Sequence, residues 1–157
     1  MVLASQQIQP GTGHKAGRAL LYRLYRDFTG REMPEIMISE RGKPYFADGT
    51  VHFSISHTKA HVFCAVSHRP IGIDAEEMDR NINLQLAEKI LSPAEKAQFD
   101  AVPDPRLALL TFWVLKEAQA KLTGQGLNGY PNHTTFSLDD PRVTIQDGCL
   151  LAVIEQD

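Results

Sequence analysis

The sequence FWVLKEAQAKLTGQGL, residues 112–127, ends a long apolar segment and is the starting point for predicting the fold. The apolar segment begins near residue 106, and Gly124 follows its last periodic residue. Glycine is favoured just beyond a helix end because it adopts the left-handed backbone conformation without strain. We therefore predict a long helix over residues 106–123.

Three polar or aromatic residues share one face of this helix. Glu117 follows Trp113 by four residues and precedes Lys121 by four, so each pair lies one turn apart. A plain core helix would carry apolar residues at these positions. The stripe is either an ordinary ion pair on a helix or one wall of an active site.

The rest of the chain alternates between helical and strand patterns. Helical spacing predicts a first helix over residues 14–30, and a capping box beginning at Ser92 predicts a short helix. Alternating or β-branched runs predict strands at 35–40, 51–56, 61–67, 71–77, 134–138, 142–146 and 149–155, with an Asp147-Gly148 hairpin turn between the last two. Residues 1–13 are interpreted as a lead-in, and residues 41–50 as a turn. The order predicts an α+β fold, a single domain over residues 1–157 with two similar halves (about 1–77 and 78–157).

Composition limits the classes of function. The chain has 43% hydrophobic and 22% charged residues, typical of a globular protein with a sizeable core. Its net charge of −3 argues against non-specific nucleic-acid binding, which needs a basic surface. No run is long enough to span a membrane, and the first residues do not resemble a signal peptide. We expect a cytoplasmic protein in which Cys64 and Cys149 are buried thiols.

The segment IGIDAEE, residues 71–77, carries two carboxylates at strand spacing. Asp74 and Glu76 are two residues apart, so both side chains point to the same face of a strand. Carboxylates placed together repel, and Mg²⁺ relieves that repulsion because it prefers oxygen ligands. The alternative is an acidic, solvent-facing strand edge. A third carboxylate would favour the metal site, and Glu117 is the candidate.

The segments RGKPYF (41–46) and FSISHTKAH (53–61) present donors for an anion. Lys43 lies in a Gly-Pro turn, a rigid place for a cation, although most turn lysines are only solvated. Ser56 and His57 end a strand, where residues commonly reach a ligand.

Two further histidine and lysine patterns are less specific. His14, Lys15 and Arg18 open the first helix, where they either meet an anion or form an ordinary polar helix start. His57 and His61 have the spacing of a zinc pair, but their surroundings are strand-like and no third ligand has a recognisable spacing. We do not expect zinc at this pair.

Four of these stretches together resemble one family. GKPYF, FSISHT, IGIDAEE and WVLKEAQAKLTGQGL occur in the order and approximate spacing found in 4′-phosphopantetheinyl transferases of the surfactin-synthetase-activating type. The resemblance covers residues 14–127. It implies two pseudo-twofold-related α+β halves that bind coenzyme A and Mg²⁺ in the cleft between them. It also implies transfer of the phosphopantetheine arm from coenzyme A to a serine of an apo carrier protein, with release of adenosine 3′,5′-bisphosphate.

The resemblance also implies roles for individual residues. The signature of a hydrophobic-Gly-hydrophobic-Asp-x-Glu strand followed by Trp-x-x-Lys-Glu-x-x-x-Lys is matched by Asp74, Glu76, Trp113, Lys116, Glu117 and Lys121. The implied Mg²⁺ ligands are Asp74, Glu76 and Glu117. The implied coenzyme A contacts are Lys43, Ser56, His57, Lys116, Lys121, Lys15 and Arg18. Glu117 or a metal-bound water would accept the serine proton, and Lys121 would steady charge on the leaving bisphosphate.

Departures from the family pattern and alternative functions remain open at this point. The segment before the first helix is short, and Ser54 stands where asparagine is common. The smaller trimeric holo-acyl-carrier-protein synthases share the acidic and KEAxxK motifs, but the GKP and SISH stretches and the two-half length favour the monomeric type. One alternative function is a Mg²⁺-dependent phosphohydrolase. The other is a catalytically silent carrier-protein-binding module, which would be expected to lack one of the acids or lysines.

Overall fold

The computed structural model of the chain describes residues 1–126 and 134–157. Within them the strands are Val2–Gln7 (β1), Ile36–Ile38 (β2), Pro44–Phe46 (β3), His52–His57 (β4), His61–Ser67 (β5), Ile71–Glu77 (β6), Val143–Gln146 (β7) and Cys149–Glu155 (β8). The helices are Gly13–Thr29 (α1), Ala87–Ile90 (α2), Pro93–Ala101 (α3) and Pro105–Thr123 (α4), and a 3-10 turn covers Leu84–Leu86. The final residue of the quoted stretch, Leu127, lies outside the described residues. Helices combined with antiparallel sheets confirm the predicted α+β class.

Local sequence sets the helix ends as predicted. Gly30 ends α1 with φ 68°, and Gly124 ends α4 with φ 72°, both in the left-handed region that favours glycine. Ser92 and Glu95 form the predicted capping box at the start of α3. No helix among the described residues has the length and apolar character that crossing a membrane would require.

The first sheet has the antiparallel strand order β1-β5-β4, and α1 packs against one face. Val62, Cys64 and Val66 of β5 belong to the apolar cluster under α1. The second sheet has the antiparallel order β6-β8-β7, and α4 packs against it. The contact between α4 and β6 requires Gly72, because a Cβ there would lie 2.0 Å from the carbonyl oxygen of Ala118.

Besides the apolar clusters under α1 and α4, a further apolar layer lies between the two sheets. It contains the alternate residues of β5, β6 and β8, namely Phe63, Ala65, Ile71, Ile73, Ala75, Cys149 and Leu151. The β8 residues on the opposite face of the strand, Leu150, Ala152 and Ile154, pack with α4. The sheets therefore face each other across a shared layer, with α1 and α4 on the outer sides.

Two serine hydroxyls join β4 to β6, which are edge strands of different sheets. Ser54 Oγ accepts a hydrogen bond from Ile73 N, and Ser56 Oγ accepts one from Ala75 N, each at 3.0 Å. These side chains satisfy outward-facing N–H groups of β6 that an edge strand would otherwise leave unpaired. The serine seam, defined as Ser54 and Ser56 with these two N–H groups, holds the acidic strand beside β4.

The interpretation of residues 1–13 as a lead-in is wrong, because β1 occupies Val2–Gln7. It pairs with β5 from Val2 opposite Val66 to Gln7 opposite His61. The predicted turn at residues 41–50 also contains a short strand, β3, which pairs with β2.

The strand predicted at residues 134–138 is absent from the described structure. The backbone of this segment bonds to side chains of α3 instead of to a neighbouring strand. Phe136 N donates to Glu95 Oε2 at 2.9 Å, and Leu138 N donates to Gln98 Oε1 at 3.1 Å. The segment was predicted as a strand from composition, but these contacts fix it as an extended loop.

Candidate active site

A cavity opens between the turn before β3, strand β4 and the C-terminal half of α4. Its volume is about 320 Å³, and its lining is Arg41, Gly42, Lys43, Pro44, Phe53, Ser54, Ile55, Glu117, Ala120, Lys121, Gly124 and Gly126. Three cationic side chains and one carboxylate therefore share this surface. Such a lining suits an anionic ligand.

Asp74 is the most buried of the three predicted metal ligands, with 6% of its surface exposed. Its Oδ1 accepts hydrogen bonds from Ser56 Oγ and Lys121 Nζ, both at 3.2 Å. Its Oδ2 is buried without a hydrogen-bond partner among the described residues. Burial raises the pKa of Asp74 to about 6, and Glu117 adds to the rise while Lys121 opposes it.

Glu76 lies on the same face of β6 and is held by two donors. Its Oε1 accepts from Arg80 Nη1 at 2.5 Å and from Trp113 Nε1 at 3.3 Å. The Arg80 guanidinium also lies over the Trp113 ring, 5.6 Å from its centroid. Burial raises the pKa of Glu76, and the charge of Asp74 raises it further.

Glu117 faces the same region from α4. Burial raises its pKa, Lys121 opposes the rise, and Glu76 adds to it. Each of the three acids thus raises the pKa of another, which brings Asp74, Glu76 and Glu117 into one electrostatic cluster. Their oxygens do not all lie within 4.8 Å of one another in the described structure, since Glu76 is turned toward Arg80 and Trp113.

The unpartnered oxygen of Asp74 tests whether these residues suit Mg²⁺. A buried carboxylate oxygen without a hydrogen bond is costly, and a cation is one of the few groups that compensates it. The donor set of carboxylates is the one that Mg²⁺ prefers. The residues present therefore fit a magnesium ion.

The contacts of Lys121 show whether the polar stripe on α4 is an ordinary ion pair or part of a site. Its Nζ donates to Asp74 Oδ1 at 3.2 Å and to the Ile55 carbonyl at 3.3 Å. Among residues 1–126 and 134–157, no ion pair joins Lys121 to Glu117. The stripe is not an isolated surface pair, because both side chains turn toward the cavity and the acids of β6.

Lys43 lines the cavity from the turn before β3. Its Nζ donates to the Leu122 carbonyl at 2.7 Å, at the end of α4. Burial lowers the pKa of Lys43. Lys43 therefore also satisfies one of the carbonyls that the helix end leaves unpaired.

The remaining predicted coenzyme contacts lie in two places near β4. Ser56 is buried, and its hydroxyl bonds to Asp74 and Ala75 in the serine seam. His57 is exposed and lies against the start of α1, since a Cβ on Gly13 would come 2.3 Å from its Nδ1. Lys15 and Arg18 follow in the first turns of α1, so the structure brings them to the same end of the sheet as His57.

Lys116 lies in a different environment from Lys121. Its Nζ pairs with Glu95 Oε1 at 2.8 Å, donates to the Thr134 carbonyl and lies over the Phe136 ring. The side chains of Lys116 and Glu95 are 3% and 0% exposed, and Lys116 is not among the cavity residues. This buried pair links α4 to α3 and to the loop after residue 133.

Sequence reasoning did not single out Arg41 or Arg80, and it noted Ser54 only as a departure from the family pattern. Arg41 lines the cavity, Ser54 forms part of the serine seam, and Arg80 holds Glu76. Arg41 stands two residues before Lys43 in the same turn, and Arg80 stands four residues after Glu76. A search for basic residues beside the predicted ligands would have found both arginines.

The chain resembles proteins of one family throughout this region. A sequence profile described as the 4′-phosphopantetheinyl transferase superfamily matches residues 70–150, just over half of the chain. A 4′-phosphopantetheinyl transferase of Bacillus subtilis is 35% identical over 113 residues, which are 69% of this chain and 50% of the relative. The 4′-phosphopantetheinyl transferase psf-1 of Bacillus pumilus is 31% identical over 136 residues, 83% of this chain and 58% of the relative. The 4′-phosphopantetheinyl transferase gsp of Aneurinibacillus migulanus is 36% identical over 95 residues, 57% of this chain and 38% of the relative.

The chain spans about half the length of the curated relatives it matches. The profile match nevertheless includes all three acids of the electrostatic cluster and the whole of α4. The chain therefore belongs to the 4′-phosphopantetheinyl transferase superfamily.

Proposed function

We propose that this chain transfers the 4′-phosphopantetheine arm of coenzyme A to a serine hydroxyl of an apo carrier protein of the acyl, peptidyl or polyketide type, releasing adenosine 3′,5′-bisphosphate. The observation that carries the proposal is the buried, unpartnered Oδ2 of Asp74 beside a cavity lined by cations. Membership of the superfamily and the names of the relatives support the same activity.

Asp74, Glu76 and Glu117 would hold Mg²⁺. Their mutual effect on pKa supports this assignment, because a cation at the cluster removes the repulsion among them. When bound, Mg²⁺ acts as a Lewis acid that neutralises charge on the pyrophosphate of coenzyme A. For Glu76 to join the other two acids, its side chain must turn away from Arg80 and Trp113.

Coenzyme A would occupy the cavity and the adjoining end of β4. Lys43, Lys121 and Arg41 line the cavity and would neutralise its phosphates. The other proposed contacts are His57, Lys15 and Arg18 on the surface around β4 and α1, together with Ser56, which is buried in the serine seam. Lys116 would have to leave Glu95 to reach the coenzyme, and its buried pair supports a role in fixing α4 instead.

The reaction needs positioning and charge neutralisation more than covalent participation by the protein. The carrier serine oxygen attacks the phosphorus that bears the pantetheine arm, and the bond from that phosphorus to the oxygen of adenosine 3′,5′-bisphosphate breaks. Glu117, or a water molecule held at the metal site, would accept the serine proton. Lys121 would steady the charge that develops on the leaving bisphosphate.

We also propose that residues 1–157 act as a single domain and a monomer in the cytoplasm. The pseudo-twofold relation is supported by the matching make-up of the two halves, each a three-stranded antiparallel sheet with a long helix on its outer side. β6 ends at the predicted division at residue 77 but pairs with β8 in the second sheet, so we propose that the division between the halves lies before β6. The two free thiols, Cys64 and Cys149, suit a reducing compartment.

The test is the intact mass of a panel of apo carrier proteins after incubation with the purified chain, coenzyme A and Mg²⁺. Wild-type protein should add the phosphopantetheine mass to at least one carrier, while the folded Asp74→Asn variant should not. Hydrolysis of coenzyme A without a gain in carrier mass would indicate a phosphohydrolase. Carrier binding with neither product would indicate a silent binding module.

A further inference from the structure

Three side chains from three strands meet at one end of the shared layer between the sheets. They are His61 at the start of β5, Glu77 at the end of β6 and Cys149 at the start of β8. His61 Nδ1 lies 3.5 Å from Glu77 Oε1 and 3.8 Å from Cys149 Sγ, and Cys149 Sγ lies 3.6 Å from Glu77 Oε2. Among the residues that the structure describes, this is the one His, Cys and acid group whose ligand atoms all lie within 4.8 Å of one another.

The His61–Glu77 separation suits a shared metal ion better than a direct hydrogen bond, while the two contacts of Cys149 Sγ are also within reach of hydrogen bonds to sulfur. A good N–H···O hydrogen bond is about 2.7–3.2 Å long, and the His61–Glu77 separation of 3.5 Å exceeds it. Zinc–ligand bonds of about 2.0 Å to nitrogen or oxygen and 2.3 Å to sulfur, at tetrahedral angles, place ligand atoms about 3.3–3.6 Å apart. All three separations are within a few tenths of an ångström of that spacing, with His61 nearest to Oε1 of Glu77 and Cys149 nearest to Oε2 of the same carboxylate.

The residues around the group orient one ligand and leave a path for an ion from solvent. The Thr58 hydroxyl donates to Glu77 Oε1 at 2.5 Å, which orients the carboxylate. Cys149 is fully buried, while the side chains of His61 and Glu77 are 20% and 29% exposed. An ion can therefore reach the group from one side and keep a water molecule there.

This group is separate from the acidic cluster of the candidate active site. Glu77 alternates with Glu76 along β6, so its side chain points to the opposite face of the strand, toward the shared layer. The donors also differ in kind, because a thiolate and an imidazole favour borderline transition metals, whereas carboxylates favour Mg²⁺.

We propose that His61, Glu77 and Cys149 form a binding site for Zn²⁺ or a similar divalent transition metal, with three protein ligands and a fourth position open to water. With a neutral imidazole, a thiolate and a carboxylate, the ligand charge balances that of the ion. Bound metal would link β5 of the first sheet to β6 and β8 of the second, at the end of the shared layer away from Ile71. The site would therefore act as a cross-link between the two halves.

Cobalt titration of the full chain tests the proposal, because Co²⁺ reports its ligands optically. The reduced, chelator-treated protein is titrated with Co²⁺ in excess Mg²⁺, which competes for the acidic cluster. One equivalent should give a thiolate-to-cobalt charge-transfer band with tetrahedral visible bands, and Zn²⁺ should abolish both. Cys149→Ser should remove the charge-transfer band and weaken affinity by at least about tenfold, the loss that even an outer contact of a ligand can cause.

Matched variants make the result specific to this site. Cys64→Ala removes the other thiol and should leave the spectrum unchanged, as should Asp74→Asn in the acidic cluster. His61→Ala changes a partly exposed side chain and should weaken Co²⁺ binding while the circular dichroism spectrum stays native. A folded wild type without the charge-transfer band would overturn the proposal, and so would a band that survives Cys149→Ser or that Cys64→Ala removes.

Discussion

Lys121 Nζ lies 3.2 Å from Oδ1 of Asp74, while the other oxygen of that carboxylate is buried without a hydrogen-bond partner among the described residues. Lys121 thus compensates the charge at one oxygen of the buried carboxylate and leaves the other oxygen for another cation. If Mg²⁺ binds that other oxygen, Lys121 becomes available for a phosphate. This arrangement connects the proposed metal site to the proposed coenzyme site through a single carboxylate.

Removing one proposed metal ligand should abolish most of the transfer without unfolding the chain. Glu117→Gln and Asp74→Asn should each lower the rate of holo-carrier formation by about a hundredfold or more, because the neutralisation of developing charge is lost. Glu88→Gln is the matched control, since Glu88 is an exposed glutamate paired only with Lys96 in the described structure. Near-wild-type transfer by Glu117→Gln across a Mg²⁺ titration would remove Glu117 from the site.

The metal-free protein should lose stability as the pH rises, because of Asp74. Burial raises the pKa of Asp74 from 3.8 to about 6, so the folded state keeps a proton that the unfolded chain has already lost. Above pH 6 the folded state must bury that charge, at a cost of up to about 3 kcal/mol that is absent below pH 4. In chelator, Asp74→Asn should therefore be more stable than wild type at pH 7.5 but not at pH 4. The free energy of unfolding of both proteins is measured by urea titration at each pH. The same difference between the two proteins at pH 4 and pH 7.5 would contradict this prediction.

The buried pair of Lys116 and Glu95 should matter for stability. Lys116→Met leaves the carboxylate of Glu95 buried without its cation, which should reduce the free energy of unfolding by about 3 kcal/mol. Because backbone N–H groups of Ser92 and Phe136 still bond to Glu95, the fold should survive. The double variant Glu95→Gln/Lys116→Met should recover part of the loss.

Lys96→Met is the control for that experiment. Lys96 pairs with Glu88 and Asp100 at the surface, where water screens the charges, so its removal should change stability little. Equal losses in Lys96→Met and Lys116→Met, measured by urea unfolding, would mean that burial of the Glu95 pair has no special effect.

The serine seam should contribute measurably to folding. Ser54→Ala leaves the buried N–H of Ile73 without an acceptor, which should lower the free energy of unfolding by about 1–3 kcal/mol. Ser5→Ala removes a hydroxyl that bonds to Asp147 at the surface and should have a much smaller effect. If both variants unfold at the same denaturant concentration, the seam does not hold β6 against β4.

Coenzyme A should stabilise the protein through Lys43. A ligand at a hundred times its dissociation constant adds about 2.7 kcal/mol to the free energy of unfolding. Lys43→Ala should reduce the coenzyme-induced rise in Tm, while the exposed control Lys89→Ala should keep it. Each rise is measured against the same variant without ligand, because Lys43 also bonds to the end of α4. An undiminished rise in Lys43→Ala would exclude this lysine from the coenzyme site.

Sequence reasoning succeeded where local chemistry determines structure. Gly30 and Gly124 end their helices, Ser92 begins a capping box, and Asp147 and Gly148 turn the β7–β8 hairpin with φ values of 52° and 75°. These features depend on residues a few positions apart, so the sequence carries the signal directly.

Prediction failed where distant contacts decide the structure. Val2–Gln7 lacks a clear alternation of apolar and polar residues and becomes a strand because β5 offers an open edge. Residues 134–138 contain strand-forming residues, but their backbone bonds to the side chains of Glu95 and Gln98. The partner of Lys116 could not be predicted either. Lys116 and Lys121 are five positions apart, which places the two lysines on different faces of α4.

The pairing of β6 with β8 has a consequence for protein synthesis. The partners of Ile71–Glu77 are Cys149–Glu155, which leave the ribosome long after the first sheet has all three of its strands. Since domains fold progressively from the N-terminus as they are made, nascent β6 has the serine seam and its packing against β5 and α4, but no strand of its own sheet to pair with, until β8 is made. The strand that carries Asp74 and Glu76 therefore gains its sheet partner only after Cys149–Glu155 has been made, so a nascent chain stopped before Cys149 would have the acids of the site without the sheet that positions them.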